Sequence, residues 1–446
     1  MQKNSKFLKL SVSLLGILII LTSSVMFAQQ NPSSPILQKG ESNVIEPTSN
    51  IIPSYISHSP IFIDTDSDFV SQGYPGNGSI VNPYLIMGFN ITTTGVCIRI
   101  QDTSSHFIIR DCILSGGTAN NGIELSYVDN GIIRNNTIFE KNRGIYTNHA
   151  SGVTIFNNTI FDNALIGVNI YESSHNNIVA NNTIIGINNG QAVYISQSCS
   201  NNVISNNTIS GNPTGLSIGI AVFACVDNLI EFNNITDNGG CGIWISGAWT
   251  TTVVNNTISD NGYGVRLHSA DFSLIANNII RNNDQGFELT STTKNNTIYL
   301  NVIANDGNNN AVDDGDDNKW NSTTWGNYWS DYGGIGFYNV SGDGGAIDYH
   351  PFIFDAVIPT TDHPNDIYYT IDTTGHSITL TASDAHPSYY VVIRNGTQVS
   401  SESWNGSSII VNIDGLSLGV HIYTILVFDT YGNMASDTII VTVQPQ

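Results

Sequence analysis

Four carboxylates recur two residues beyond a repeated isoleucine: Glu140 and Asp162, then Asp237 and Asp260. If their segments stack as neighbouring strands, each pair sets its carboxyls about 5 Å apart. That is the separation at which a retaining glycosidase keeps its nucleophile and its acid. Asp237 and Asp260 each stand before Asn-Gly, an ordinary turn sequence. A turn role therefore competes with the catalytic one.

A second recurring segment carries a variable residue between two apolar positions: Arg99, Glu124, Tyr146, Asn169, Tyr194, Ala221, Trp244, Arg266 and Glu288. Stacked strands would raise these side chains in one row up a sheet face. Tyr and Trp offer flat amphipathic rings there, while Arg and Glu offer hydrogen bonds to hydroxyls. Glu124, Tyr146, Tyr194, Trp244, Arg266 and Glu288 are thus the ligand-binding candidates. The competing reading makes Arg99–Glu124 and Arg266–Glu288 cross-strand ion pairs among aromatics that suit any β surface.

Metal chemistry has one opening. Asp313, Asp314, Asp316 and Asp317 surround Gly315, and oxygens this dense either hold calcium or form a solvated loop. No other cofactor is raised. Asp64, Asp66 and Asp68 have the alternate spacing of a calcium loop, but Phe69 and Pro75 stand where its glycine and bidentate Glu belong. The ten histidines show no metal-pair spacing. No G-x-S-x-G is present.

The elements that must position these residues are visible as a repeat. Asn-Asn-Thr-Ile begins at Asn135, Asn157, Asn181, Asn206 and Asn255, with looser copies at Phe232 and Asn277. A further copy, Asn295–Ile298, falls out of phase. The in-phase apolar residue recurs at 113, 138, 160, 184, 209, 235, 258, 280 and 303, a period of 22 to 26 residues. Such a period signals stacked coils. A partner strand reads Gly-apolar-x-apolar, as in Gly242-Ile-Trp-Ile245. Two places before each anchor stands an asparagine: Asn136, Asn158, Asn182, Asn207, Asn233, Asn256, Asn278 and Asn301, with Asp111 heading the row. Stacking would set these amides about 4.8 Å apart, close enough to bond one another and satisfy buried turn backbone.

With Pro60-Ile-Phe-Ile-Asp64 and Gly88-Phe-Asn-Ile91 as an N-terminal cap and Gly326-Asn-Tyr-Trp-Ser-Asp-Tyr332 as a C-terminal cap, the pattern resembles the NosD-like right-handed parallel β-helix. The resemblance implies an all-β fold of about ten coils over residues 61–357. It leaves function open, because that fold hosts lyases, hydrolases, maturation factors and adhesins alike. Residues 358–446 change character. Strand-like runs at 377–382, 389–394, 409–413, 420–428 and 438–443, with a hairpin signal at Asn395-Gly396, fit an Ig-like β-sandwich without cysteines.

The start of the chain reads as an export signal: Lys3, Lys6 and Lys9, an apolar run from Leu10 to Leu21, and small residues allowing cleavage after Ala28. An uncleaved N-terminal anchor is the alternative. Residues 29–60 are Pro-, Ser- and Asn-rich and read as a linker. Thirty-six acidic against 14 basic residues give a net charge of −22, which argues against nucleic acid as a partner and leaves the membrane only through that anchor. The five cysteines, Cys97, Cys112, Cys199, Cys225 and Cys241, lack C-x-x-C spacing. Cys199 and Cys225 fall in phase on neighbouring coils, within range of a disulfide, although buried thiols are the expectation.

Three functions fit: a non-catalytic exported or cell-surface protein that binds glycans or surface polymers along the helix face; a polysaccharide lyase or glycoside hydrolase on the same face, with Asp237, Asp260, Glu140 and Asp162 as its carboxylates; and, by fold analogy alone, a NosD-like metalloenzyme maturation factor.

Overall fold

The computed structural model describes residues 55–187, 190–211, 215–304, 306–353, 358–430 and 433–446. The export segment and most of the linker lie outside them. Among the described residues no helix is long and apolar enough to cross a membrane.

Each coil contributes one strand to each of three sheets. Ile123–Asp129 lies in the first sheet, Gly131–Arg134 in the second and Thr137–Phe139 in the third. Arg143–Ser151 then opens the next coil in parallel register with Ile123–Asp129. Repetition of this unit builds a right-handed parallel β-helix of about ten turns. The isoleucines of the repeat pair coil on coil, Ile138 with Ile160, Ile184, Ile209, Ile235, Ile258, Ile280 and Ile303, and all are fully buried. Each such burial contributes roughly 1.5–3 kcal/mol, so a change in period would lose that term at every coil.

The head of this column differs from the sequence expectation. Leu114, not Ile113, pairs with Ile138, and Cys112, not Asp111, donates its backbone N–H to Asn136. Asp111 instead takes the left-handed turn position (φ 53°) that Asn135 takes one coil later. The interior selects the fully buried Leu114 over the half-buried Ile113.

The expected asparagine row is continuous. The backbone N–H and Nδ2 of Asn207 both donate to Oδ1 of Asn233, at 3.0 and 2.9 Å. Nδ2 also donates back to the Val179 carbonyl at 2.9 Å. The same pattern links Asn136 through Asn301 and continues to Asn327 and Asp348. Two further columns, unforeseen, stand at the other bends. One holds Asn177, Asn202 and Asn228, then Asn296 and Asn318; the other holds Asn238, Asn261, Asn283 and Asp306. Asn296 explains the out-of-phase copy, which belongs to a different bend.

All three columns close on a carboxylate: Asp348, Asp306 and, through Asn318 Nδ2 at 3.0 Å, Asp313. Donation runs toward the C-terminal coil throughout. The last amide therefore needs a terminal acceptor, which a carboxyl oxygen supplies; burial pushes all three of these carboxyls above the usual carboxylate range. Trp329 Nε1 and Trp320 Nε1 cap Asp348 and Asp313 at 2.9 and 2.8 Å, and both indoles are buried. At the other end, helix Asp66–Ser71 lays Phe69 over Tyr84, with ring centroids 4.3 Å apart, and closes the core.

The glycine opening most first-sheet strands, replaced by Ala192 in Gln191–Ser196, answers to packing. A Cβ on Gly144 or Gly167 would fall 2.6 or 2.5 Å from a carbonyl of the next coil.

Beyond residue 358 lies a cluster of sheets. Ile367–Thr370 runs parallel to Met434–Gln444, followed by Gly419–Asp429, Pro387–Arg394 and Thr397–Ser403, all antiparallel. Ser377–Leu380 pairs separately with Ile409–Asn412. Ile378, Val392, Ile425, Ile439 and Val441 share one buried core. Asn395 and Gly396, both at positive φ, turn the hairpin between Pro387–Arg394 and Thr397–Ser403. Thr397–Ser403 escaped the sequence reading because it is polar except for Val399, which is exposed.

Candidate functional site

Strands of the first sheet point Ile145 and Thr147 inward and Tyr146 and Asn148 outward. Register brings Arg99, Glu124, Tyr146, Asn169, Tyr194, Ala221, Trp244, Arg266 and Glu288 side by side in one row on the outer face. The expected row is therefore real. A second outward column lies two residues further on and includes Asn148, Tyr171, Phe223 and His268. A third, including Arg143, Ile218, Cys241 and Tyr263, precedes the inward glycine.

The face divides into two districts. Over the middle coils, Tyr194, Phe223, Trp244 and Tyr263 pack on Ile218, Ala221 and Cys241 as a small apolar cluster outside the main core. Phe223 stands edge-on to Tyr194 and to Trp244, with centroids 5.5 and 4.9 Å away. The guanidinium of Arg266 lies over both Trp244 and Tyr263, at 5.2 and 5.1 Å, and meets the carboxylate of Glu288. Burial in this cluster pushes the Cys241 thiol up to about 12. Tyr194, Trp244 and Arg266 are half-buried here and Ala221 is covered, so the rings form a packed surface with exposed edges.

Of the two ion pairs envisaged, Arg266–Glu288 forms. Arg99 turns the other way, to Asp64 at 3.0 Å, with Phe62 under its guanidinium. Glu124 accepts instead from Asn121 Nδ2 at 2.9 Å.

The second district surrounds Tyr146. Asn148 Nδ2 donates to the Tyr146 hydroxyl at 3.0 Å and reaches Oε2 of Glu172 at 3.5 Å. Asn148 Oδ1 meets Nδ1 of His149. The His149 ring stacks on Tyr127 at 4.6 Å, and Arg143 lies over the Tyr146 ring at 5.2 Å. Asn148 and Tyr171 were within reach of the sequence, since residues two apart on a strand share a face. Arg143, His149 and Glu172 were hidden: an extra residue at the inward glycine and left-handed positions at His149 and Glu172 (φ 47° and 43°) break the alternation.

The four repeat carboxylates lie elsewhere. Glu140, Asp162, Asp237 and Asp260 occupy the turn between the third and first sheets, all left-handed at φ 50° to 59°. Asp237 accepts from the Thr236 hydroxyl at 2.9 Å. Each immediately precedes a position of the third bend column, including Asn163, Asn238 and Asn261, so their spacing follows from the turn.

The calcium candidates do not converge. Asp313 is buried and accepts from Gly315, Asn318 and Trp320. Asp314 accepts from the Asp343 backbone at 2.8 Å, and Asp316 pairs with Lys294 at 2.8 Å. Asp317 stands at a left-handed turn. Among the described residues no three His, Cys, Asp or Glu side chains gather as a metal site. All five cysteines are buried free thiols. Cys199 and Cys225 do stack, and the hydrogen bond between them holds Cys199 below the ordinary thiol range while pushing Cys225 up.

Two family models match in succession: the right handed beta helix region over residues 77–219 and the periplasmic copper-binding protein (NosD) over residues 215–334. No curated protein matches the chain. Among solved structures, the A-module of the Azotobacter vinelandii mannuronan C-5 epimerase AlgE6 is 17% identical over 67% of this chain and 87% of its own, with a TM-score of 0.49. The enzymatically active domain of bacteriophage CBA120 tailspike protein 2 is 12% identical over 86% and 71%, with a TM-score of 0.44. An alginate lyase from Paenibacillus sp. str. FPU-7 is 16% identical over 65% and 99%, with a TM-score of 0.33. These likenesses are too distant to carry any functional argument. The array at residues 77–334 is a right-handed parallel β-helix, and its C-terminal part, residues 215–334, is similar to the periplasmic copper-binding protein (NosD) family.

Proposed function

We propose that this protein is exported and binds a glycan or similar surface polymer along the outer face of the first sheet. The observation that carries the reading is the unmet hydrogen-bonding capacity on this face. The Nε of Arg143, the Oγ of Ser196 and the Nε1 of Trp244 are shielded from solvent and lack partners among the described residues, and all three belong to this face. Such groups cost free energy unless a partner reaches them. A polymer laid across the strands would meet a new row residue about every 4.8 Å and offers hydroxyls to those donors and apolar ring faces to the aromatics. Binding alone needs no acid–base pair and no metal.

A glycan array with the intact protein tests this. Binding to at least one polysaccharide class is expected, weakened about tenfold or more in Trp244→Ala. Absence of binding across the array, or full retention by Trp244→Ala and Tyr194→Ala, overturns it.

A further inference from the structure

Asn148 sits between three chemically distinct partners, and its orientation can be deduced. The carboxylate of Glu172 only accepts hydrogen bonds, so the amide turns its Nδ2 toward Glu172 and the Tyr146 hydroxyl. Its Oδ1 then faces His149 Nδ1. An amide oxygen only accepts, so Nδ1 of His149 must carry the proton. A neutral imidazole protonated at Nδ1 leaves the lone pair on Nε2. The stack on Tyr127 holds the ring. The Tyr146 hydroxyl accepts from Asn148, so its own proton remains available to donate.

Arg143 supplies the third feature. In a chain of net charge −22, its guanidinium has no carboxylate partner among the described residues. It lies instead over the Tyr146 ring, with its Nε shielded and unpartnered. An unpaired arginine on a sheet face is a bidentate site for a carboxylate from outside.

We infer that Tyr146, His149 and Arg143, oriented by Asn148 and Glu172, form an acid–base centre for β-elimination on a polysaccharide that contains uronic acid. The inference rests on the glycan-binding reading of this face and adds a substrate class and a reaction to it. Arg143 neutralises the uronate carboxylate, which acidifies the neighbouring C5–H. His149 Nε2 takes that proton, the C5–H electrons form the C4=C5 double bond, and the C4–O glycosidic bond breaks. The Tyr146 hydroxyl proton passes to the leaving oxygen. Water then returns a proton to the phenolate and removes one from the imidazolium, so no oxidant or reductant is consumed. Asn148 and Glu172 are positioning residues.

Two measurements on the full chain test this independently. Long-range ¹H–¹⁵N correlation spectra above neutral pH, with His149→Gln assigning the signal, should show the Nδ1–H tautomer; Glu172→Gln, which frees the amide to turn, should shift it toward Nε2–H. Nε2–H in the unaltered protein overturns the geometry. Separately, polygalacturonate, alginate and glucuronan should each be incubated with the protein, and absorbance of the conjugated double bond followed. Elimination from at least one, reduced about a hundredfold or more by His149→Ala and by Tyr146→Phe, is the expected result. No double bond from any of the three, or new reducing ends without one, overturns the activity. If the glycan array is positive and elimination is absent, this inference fails while the binding proposal stands.

Discussion

The main asparagine column and the outer face of the first sheet are built from the same repeats, yet they treat polar groups in opposite ways. At the bends, every asparagine of the main column meets both an acceptor on the next coil and a carbonyl behind it. On the outer face, shielded donors of Arg143 and Trp244 are left without partners. The bend repeats one residue type from Asn136 to Asn327, whereas the face changes at almost every coil. Uniformity marks a region whose neighbours are copies of itself. Variation coupled to unmet hydrogen bonding marks a region facing something outside the array.

The widest gap between the regions should appear when one residue type is removed from each. Asn207→Ala strips the two bonds donated by Nδ2, to Asn233 Oδ1 and the Val179 carbonyl, and leaves both donors of Asn182 without their acceptor. It should cost about 3 kcal/mol. Asn169→Ala, on the outer face, removes a single bond from Asn169 Nδ2 to the Tyr194 carbonyl, 3.2 Å long, and should cost under about 1 kcal/mol. Urea unfolding of both variants measures the contrast, and equal costs would break it.

A smaller effect lies at a column's end. Burial pushes Asp306 up to about 7 from an ordinary value of 3.8. Within that window the folded chain keeps a proton there that the unfolded chain releases. Its contribution is therefore fully present at low pH and declines as pH rises toward 7 and above. Asp306→Asn extends the amide pattern of Asn238, Asn261 and Asn283 by one coil. It should abolish this decline and raise stability above pH 7 by roughly 1–3 kcal/mol. Thermal melts on either side of the window read the difference; an unchanged pH profile would remove the column-end account of Asp306.

The smallest effect concerns a bend that departs from its own rule. Phe232 occupies, at φ 56°, the left-handed turn position held by Asn135, Asn157, Asn181, Asn206, Asn255 and Asn277 in other coils, and it is half-exposed. An aromatic residue tolerates that conformation poorly. Phe232→Asn should stabilise the protein by about 0.5–1 kcal/mol. A loss of stability would mean that Phe232 contributes packing which outweighs its backbone strain.

The sequence by itself determined the coil. Its period, its buried isoleucine column, the main asparagine row and the outward row from Arg99 to Glu288 could all be read from spacing. The reason is physical: each interior position contacts its own equivalents 22 to 26 residues away, so one requirement is written out at every turn. The single slip in phase, Asp111 for Cys112, came at the head of the array, where no preceding copy corrects the register. Tertiary structure decided what touches what outside that rule. It sent Arg99 to Asp64, scattered Asp313, Asp314 and Asp316 among separate partners, and turned the repeat carboxylates into turn residues. It also drew Arg143, Asn148, His149 and Glu172 around Tyr146. Those contacts depend on bulges, left-handed turns and side-chain reach between coils, each occurring once, so no repetition in the chain announces them.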